Sequence, residues 1–183
     1  LSRQSSLVVI DQRHAAYSPR TLLPLVREFE NLVLLQTFET YAALTAFPLA
    51  WAVAPPRIAA HIAAYARPSG IAEASVVAGL AAIDAESDIM ASVRQVTSEK
   101  GRLFRQLRKL SMISPPYPSW SNFLLARIER GTADFFVPRL AERGIHVHRV
   151  DHPRLANHLR ISAVSLEATY ALKHALIEIA LNL

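Results

Sequence analysis

Cysteine is absent from the 183-residue chain, and lysine is rare. Without cysteine there is no disulfide framework and no thiolate metal site, and the composition fits a reducing compartment. We therefore expect a cytoplasmic protein. Lysine occurs only at Lys100, Lys109 and Lys173. No lysine side chain is available as a nucleophile before residue 100.

The chain also lacks a hydrophobic run of the kind that crosses a membrane. The uncharged stretch from Thr40 to Pro56 is too short to span a bilayer comfortably, and Pro48 interrupts it. No signal peptide is recognisable. We expect no membrane partner. Because the chain starts at Leu1 and its first apolar run has the character of an interior strand, we also expect it to be part of something longer.

Positive charge is present, with a net charge of +5 that is carried mostly by arginine. The segment KGRLFRQLRK, residues 100–109, holds five basic residues on a helical stretch. A nucleic-acid-binding helix would use such a stripe. No aromatic interleaving or groove-reading motif accompanies it, so we favour a solvated helix face and expect no nucleic-acid partner.

The first part of the sequence alternates apolar strand-like runs with helical segments. Strands are predicted at residues 6–11, 31–38 and 47–54, a short helix at 18–30, and a helix from Pro56 that Pro68 and Gly70 stop. Apolar residues at helical spacing then predict a long helical region over 72–110, broken near Asp84–Asp88. The fold class is α/β, with residues 1–114 forming part of a large domain around a mostly parallel sheet.

A proline-rich connector, SPPYPS at residues 114–119, is the predicted domain boundary. Beyond it we expect strands at 120–129, 145–150 and 158–164, with a helix after the N-cap Thr132 that ends at Gly144. A terminal helix begins at the N-cap Ser165. Residues 115–183 are thus predicted to form a small α/β domain.

Polar residues collect where the first two strands end. Asp11, Gln12, Arg13 and His14 follow one strand, and residues 37–40 follow the next. Ligands of open α/β sheets bind at this edge. A helix cap or a turn acid is the plainer interpretation of Asp11, and spacing alone favours it.

Three histidines in and just after the second small-domain strand raise the question of a metal site. His146 and His148 share one strand face, and His152 lies close by in the sequence. No cysteine or carboxylate group completes a ligand set, so we expect structural histidines and no metal.

Several longer segments, taken in order, resemble one family. They are VVIDQRHAAYS, LLPLVREFENLVLLQTFETYAALTAFPLAWAV, YARPSGIAEASVVAGLAAI, WSNFLLARI, LAERGIHVHRV and ANHLRISAVSLEATYALKHAL. Together they resemble the C-terminal half of histidinol-phosphate aminotransferases, which are fold-type-I, class I/II enzymes that use pyridoxal phosphate. The resemblance implies a three-layer large domain, a small C-terminal domain, a homodimer and a 2-oxo acid or amino-acid ligand.

The resemblance also places ligand-binding residues. The family's aspartate for the pyridinium nitrogen falls on Asp11, its tyrosine for the phenolic oxygen on His14, and Thr37 joins them at the strand end. The carboxylate-clamping arginine falls on Arg160, a fork suited to bidentate recognition, and Asn122 matches a small-domain asparagine. Without the resemblance, a structural arginine paired with an acid is the better interpretation of Arg160.

Three further positions depart from the family. Thr40 stands where the resemblance places the Schiff-base lysine, Pro48 where it places a phosphate-binding arginine, and Glu39 where it places a serine. A threonine hydroxyl cannot form an imine, and a proline side chain donates no hydrogen bond. We therefore expect pyridoxal phosphate binding to be impaired, with no catalytic residue at Thr40. The alternatives are a non-catalytic binding or assembly partner and a relative of threonine-phosphate decarboxylase.

Overall fold

The computed structural model describes residues 6–66 and 70–183, and these form an α/β protein with two compact units that divide between Val93 and Arg94. The strands are β1 (Val8–Asp11), β2 (Leu32–Thr37), β3 (Ala50–Val53), β4 (Phe123–Arg127), β5 (His148–Arg149) and β6 (His158–Ser162). The helices are α1 (Leu25–Glu28), α2 (Pro56–Tyr65), α3 (Glu73–Asp84), α4 (Glu86–Leu107), α5 (Ala133–Ala141) and α6 (Leu166–Ala180). The α/β class predicted from the sequence is confirmed.

The first unit is organised around a three-stranded sheet in the order β1-β2-β3. β1 and β2 pair in parallel, as expected, with Asp11 opposite Leu35, whereas β3 runs antiparallel to β2. The central strand β2 buries Leu32 and Leu34 completely, but Leu35 is 40% exposed. The parallel pairing brings the carboxyl ends of β1 and β2 to one edge, where the predicted ligand residues lie.

The predicted helix over residues 18–30 is wrong for most of its length. Ser18 instead closes a turn, in which its hydroxyl accepts from the Arg20 N–H and donates to the Arg20 carbonyl. Only the single turn Leu25–Glu28 is helical. Pro24 explains the late start, because proline disfavours a helical conformation in the preceding residue and suits a first helical turn.

The long helical region divides where the acidic cluster predicted a break. α3 ends at Asp84 and α4 begins at Glu86, with Ala85 between them. α3 exposes all four of its large apolar side chains, which are Val76, Val77, Leu80 and Ile83. Of the residues predicted to stop α2, Pro68 lies outside the described part of the chain, and α2 itself ends at Tyr65.

The second unit has a sheet in the order β4-β6-β5, with antiparallel pairing throughout. α5 and α6 begin at the predicted N-caps, since the Thr132 hydroxyl accepts from the Phe135 N–H and the Ser165 hydroxyl from the Ala168 N–H. Gly144 follows α5 with a left-handed φ of 72°. The predicted strand over 145–150 is shorter than expected and reduces to β5.

A continuous hydrophobic core fills the second unit. Its fully buried members come from helices and strands alike, and include Leu103, Leu124, Phe136, Leu140, Leu159 and Leu176. This unit begins inside α4, whereas the sequence predicts a domain boundary at residue 114, within the connector that follows α4. Among the described residues, no helix combines the length and apolar character that crossing a membrane requires.

Candidate functional site

Three of the residues singled out in the sequence meet at the carboxyl edge of β1 and β2. Asp11, Thr37 and Glu39 line a cavity of about 150 Å³ together with Arg13. The two strand ends stay paired at this edge, because the Gln12 N–H donates a 2.7 Å hydrogen bond to the Leu35 carbonyl and so continues the β1–β2 ladder. The sequence-based prediction of a shared strand edge is therefore reproduced in the geometry.

The carboxylate of Asp11 is engaged by Arg13. The Arg13 backbone N–H donates to Oδ1 at 3.0 Å, its Nε donates to Oδ2 at 2.8 Å, and its Nη2 lies 2.6 Å from Oδ2. These hydrogen bonds, with smaller contributions from charge on Arg13 and His14, lower the pKa of Asp11 from its ordinary 3.8. The sequence shows Arg13 at this edge, but the pairing follows from the turn that β1 makes after Asp11.

Glu39 and Thr37 complete this acidic edge. The Thr37 hydroxyl accepts from the Glu39 N–H at 3.1 Å, and this hydrogen bond stabilises the turn that follows β2. The pKa of the Arg13 guanidinium is raised, first by its hydrogen bond to Asp11 and also by the negative charge of Glu39. The cavity therefore presents two acids around one arginine.

Thr40 lies just beyond this cavity and is held through its backbone. The buried Tyr17 donates from its hydroxyl to the Thr40 carbonyl at 3.4 Å, and burial raises the pKa of Tyr17. Tyr17 belongs to a 3₁₀ turn, Ala15–Tyr17, that starts directly after the half-buried His14. Tyr17 is not among the site residues predicted from the sequence. Pro48 is exposed and lines a separate cavity, of about 330 Å³, next to β3.

The predicted carboxylate-binding residues lie in the second unit. Arg160 is an exposed residue in the middle of β6, opposite Leu125 of β4, and its guanidinium carbon is 5.3 Å from the centre of the Phe123 ring. In the described part of the chain Arg160 makes no ion pair with an acid. It therefore stacks on an aromatic ring and keeps hydrogen-bond donors available, unlike a structural arginine paired with a carboxylate.

Asn122 lies in the bend that leads into β4. Its carbonyl accepts from the Ala163 N–H at 3.0 Å, which extends the β4–β6 pairing by one residue. Within the described residues no hydrogen bond joins Asn122 to Arg160.

The three histidines considered for a metal do not converge. The His152 Nδ1 accepts from the Arg154 N–H at 3.2 Å and caps a short 3₁₀ turn, Pro153–Leu155. Among the described residues there is no group of three or more histidine, aspartate or glutamate side chains arranged to hold a metal ion.

Lys100 is an exception to the expected solvated basic face, on which Arg105, Arg108 and Lys109 are exposed. Its side chain is only 7% exposed, and its ammonium donates to the carbonyls of Ser119 at 2.8 Å and Ser121 at 2.6 Å. Burial lowers the pKa of Lys100 below its ordinary 10.5. The signal was present in the sequence, because Lys100 falls on the apolar helical stripe between Val96 and Leu103.

Residues 1–176 match the family model of aminotransferase class I and II, so the chain belongs to this family, whose members depend on pyridoxal phosphate. The histidinol-phosphate aminotransferase of Dehalococcoides mccartyi strain 195 is 30% identical over 168 residues, which cover 92% of this chain and 47% of that protein. The chain thus spans about half the length of the curated relatives it matches.

Solved structures show the same fold. The L-threonine-O-3-phosphate decarboxylase of Porphyromonas gingivalis superposes with a TM-score of 0.84 at 18% identity, over 94% of this chain and 54% of that one. The histidinol-phosphate aminotransferase of Sinorhizobium meliloti, in complex with pyridoxal-5'-phosphate, gives a TM-score of 0.82 at 22% identity, over 96% of this chain and 49% of that one. These likenesses establish the fold-type-I architecture.

Proposed function

We propose that this chain is an aminotransferase homologue whose Schiff-base chemistry is impaired and whose carboxylate-binding arginine is retained. The observation that carries the proposal is the combination of Thr40 with the Asp11–Arg13 ion pair. Thr40 offers no amine for covalent attachment, and Asp11 already holds a cation where the resemblance gives it the pyridinium ring. The residues at this edge therefore do not fit covalently bound pyridoxal phosphate.

The expected loss of binding free energy for pyridoxal phosphate supports the same conclusion. Each charge-assisted hydrogen bond lost to a phosphate or ring costs about 1.5–3 kcal/mol. Thr40 and Pro48 each remove a positive charge relative to the resemblance, and Glu39 adds a negative one. Two lost bonds correspond to roughly a 10²- to 10⁴-fold weaker affinity. The positive charge of Arg13 is paired with Asp11.

The proposal is tested by restoring the missing groups. In the triple variant Arg13→Ala, Thr40→Lys and Pro48→Arg, we expect pyridoxal phosphate to bind at least 10-fold more tightly, as measured by absorbance titration. The matched control replaces Thr40→Lys by Thr45→Lys, which puts an amine on the same loop at an exposed position. Equal affinities for wild type, variant and control would show that the residue assignment is wrong.

Arg160 supports a ligand of the 2-oxo acid or amino-acid type. Its guanidinium stacks on Phe123 and has no acidic partner in the described residues, so its N–H groups can donate two parallel hydrogen bonds to a carboxylate. We expect 2-oxoglutarate binding, measured by calorimetry, to fall at least 10-fold in Arg160→Met. Arg108→Met is the matched control, because Arg108 also lies over a phenylalanine ring, that of Phe104 at 5.7 Å. If both variants bind like wild type, Arg160 is not the carboxylate site.

A non-catalytic assembly role is the second candidate, and the exposed apolar face of α3 favours it. Val77, Leu80 and Ile83 are each more than half exposed, which is unusual for three neighbouring aliphatic side chains on one helix. The proposed occupant is a second copy, in keeping with the homodimer that the resemblance implies. Sedimentation velocity tests this: Leu80→Glu should give a monomer, and Arg94→Glu on α4 should leave the oligomer unchanged.

The substrate branch is part of the proposal as well. Histidinol phosphate is favoured because the curated relatives in the comparison are named for it, and threonine phosphate is the alternative. A cytoplasmic location stays a prediction from composition.

A further inference from the structure

Lys100 is a buried charge that the proposed chemistry does not use. It lies on α4 with 7% of its surface exposed, and no acidic side chain pairs with it among the described residues. A buried ammonium without a counter-ion has an unfavourable desolvation free energy, and hydrogen bonds to its two carbonyl partners offset part of it. Those partners, Ser119 and Ser121, flank Trp120 in the loop that precedes β4.

This loop is connected to the start of β4 by short polar contacts. The Ser121 hydroxyl accepts from the Phe123 N–H at 3.3 Å and donates to the Phe123 carbonyl at 3.2 Å. It also lies 2.8 Å from the Ser119 hydroxyl, which closes the loop on itself. Lys100 therefore fixes the backbone at Ser121, and Ser121 in turn fixes Phe123.

Phe123 is the ring on which the Arg160 guanidinium stacks, at 5.3 Å. Displacing the start of β4 would move this ring and free the guanidinium to adopt other rotamers. A long side chain loses affinity for a carboxylate when it is no longer pre-organised. The contacts thus run from Lys100 through Ser121 and Phe123 to Arg160.

We propose that Lys100 is a positioning residue for the Arg160 carboxylate site, acting through the Ser119–Ser121 loop and the Phe123 ring. The inference rests on the proposed function for the identity of the ligand. The positioning of Arg160 by Lys100 is independent of the proposed function, because the orientation of Arg160 can be measured without any ligand.

The test compares Lys100→Met with Lys109→Met, since Lys109 is an exposed lysine of the same basic segment. The Arg160 Nε–H resonance, assigned by its loss in Arg160→Lys, reports the ring current of Phe123. We expect Lys100→Met to shift this resonance toward the random-coil position and to weaken 2-oxoglutarate binding about 5- to 10-fold. Lys109→Met should change neither quantity.

A second reporter follows the loop itself. In a Trp51→Phe background Trp120 is the only tryptophan, and it is 49% exposed. Acrylamide quenching of Trp120 should rise about two-fold in Lys100→Met. If Lys100→Met does not fold, Ser121→Ala replaces it, because it breaks the link to Phe123 without unpairing a buried charge.

The outcomes separate the two proposals. The positioning role is overturned if folded Lys100→Met leaves both the Arg160 resonance and the affinity for 2-oxoglutarate unchanged. It is also overturned if quenching of Trp120 rises while the affinity and the Arg160 resonance stay at their wild-type values. If wild type does not bind 2-oxoglutarate but the Arg160 resonance still depends on Lys100, the ligand assignment fails and the positioning role stands.

Discussion

The two units of the chain differ in how completely they bury their apolar residues. The second unit has a continuous core in which Phe136, Leu140 and Leu176 are fully buried. The first unit has a small buried cluster around Leu32 and Leu34, and it exposes large apolar side chains on both its sheet and α3. A partly parallel sheet is normally covered on both faces, so the first unit depends on further contacts more than the second does.

The positions that depart from the resemblance all lie in the first unit, although Asp11, which matches the resemblance, lies there too. Arg160 matches the resemblance and lies in the unit with the complete core. Glu39, Thr40 and Pro48 depart from it and lie in the unit with the incomplete core. Stability and ligand chemistry are therefore expected to respond differently to substitution in the two units.

The largest expected effect is on the core of the second unit. Leu176→Ala removes a side chain that is 0% exposed, and such truncations cost about 2–5 kcal/mol of unfolding free energy. Leu80→Ala on α3, where the leucine is 58% exposed, should change the stability of the monomeric chain by no more than about 0.5 kcal/mol. Urea denaturation of both variants, at a protein concentration at which the chain is monomeric, measures the contrast. Equal losses in the monomer would contradict the difference in burial between the two units.

An intermediate effect is expected in the loop after Thr40. Ala43 has a left-handed φ of 57°, which an L side chain adopts at a cost of roughly 1–2 kcal/mol. Ala43→Gly should therefore stabilise the first unit by about 1 kcal/mol after the entropy of glycine is subtracted. The control Ala46→Gly, at an exposed position without a positive φ, should be neutral or destabilising. A destabilised Ala43→Gly variant would refute the backbone strain.

The smallest effect concerns pH. The pKa of Asp11 is lowered by its hydrogen bonds to Arg13, so the unfolded chain binds more protons in acid. This contribution to stability is present above the ordinary carboxyl pKa of 3.8 and is lost as pH falls through the lowered value. Because both groups are exposed, the effect on unfolding should be slight. Carbon-detected NMR titration should show the Asp11 pKa rising in Arg13→Ala and not in Arg57→Ala.

Local sequence patterns predicted much of the fold. The apolar runs at β1 and β2, the caps Thr132 and Ser165, and the break before α4 all depend on near neighbours in the chain. The short helix predicted over 18–30 was wrong for most of its length, because Pro24 delays the start of the helix to Leu25. The direction of β3 depends on pairing with β2, which local pattern does not encode.

The candidate site was less predictable. The meeting of Asp11, Thr37 and Glu39 follows from parallel pairing of two predicted strands. The Asp11–Arg13 pair and the Tyr17 contact to Thr40 depend on the turn after β1, and the Phe123–Arg160 stacking depends on the register of β4 with β6. Lys100 was detectable, since a lysine within an apolar helical stripe must either extend its ammonium to solvent or find buried hydrogen-bond partners.

Covalent labelling tests the central claim most directly. The purified chain is incubated with pyridoxal phosphate, reduced with borohydride and digested, and its peptides are analysed by mass spectrometry, with Thr40→Lys treated in parallel. The account predicts that wild type carries no stoichiometric label, whereas the variant is labelled at residue 40. Stoichiometric labelling of wild type at Lys100, Lys109 or Lys173 would contradict it, because the chain would then supply its own amine for the cofactor.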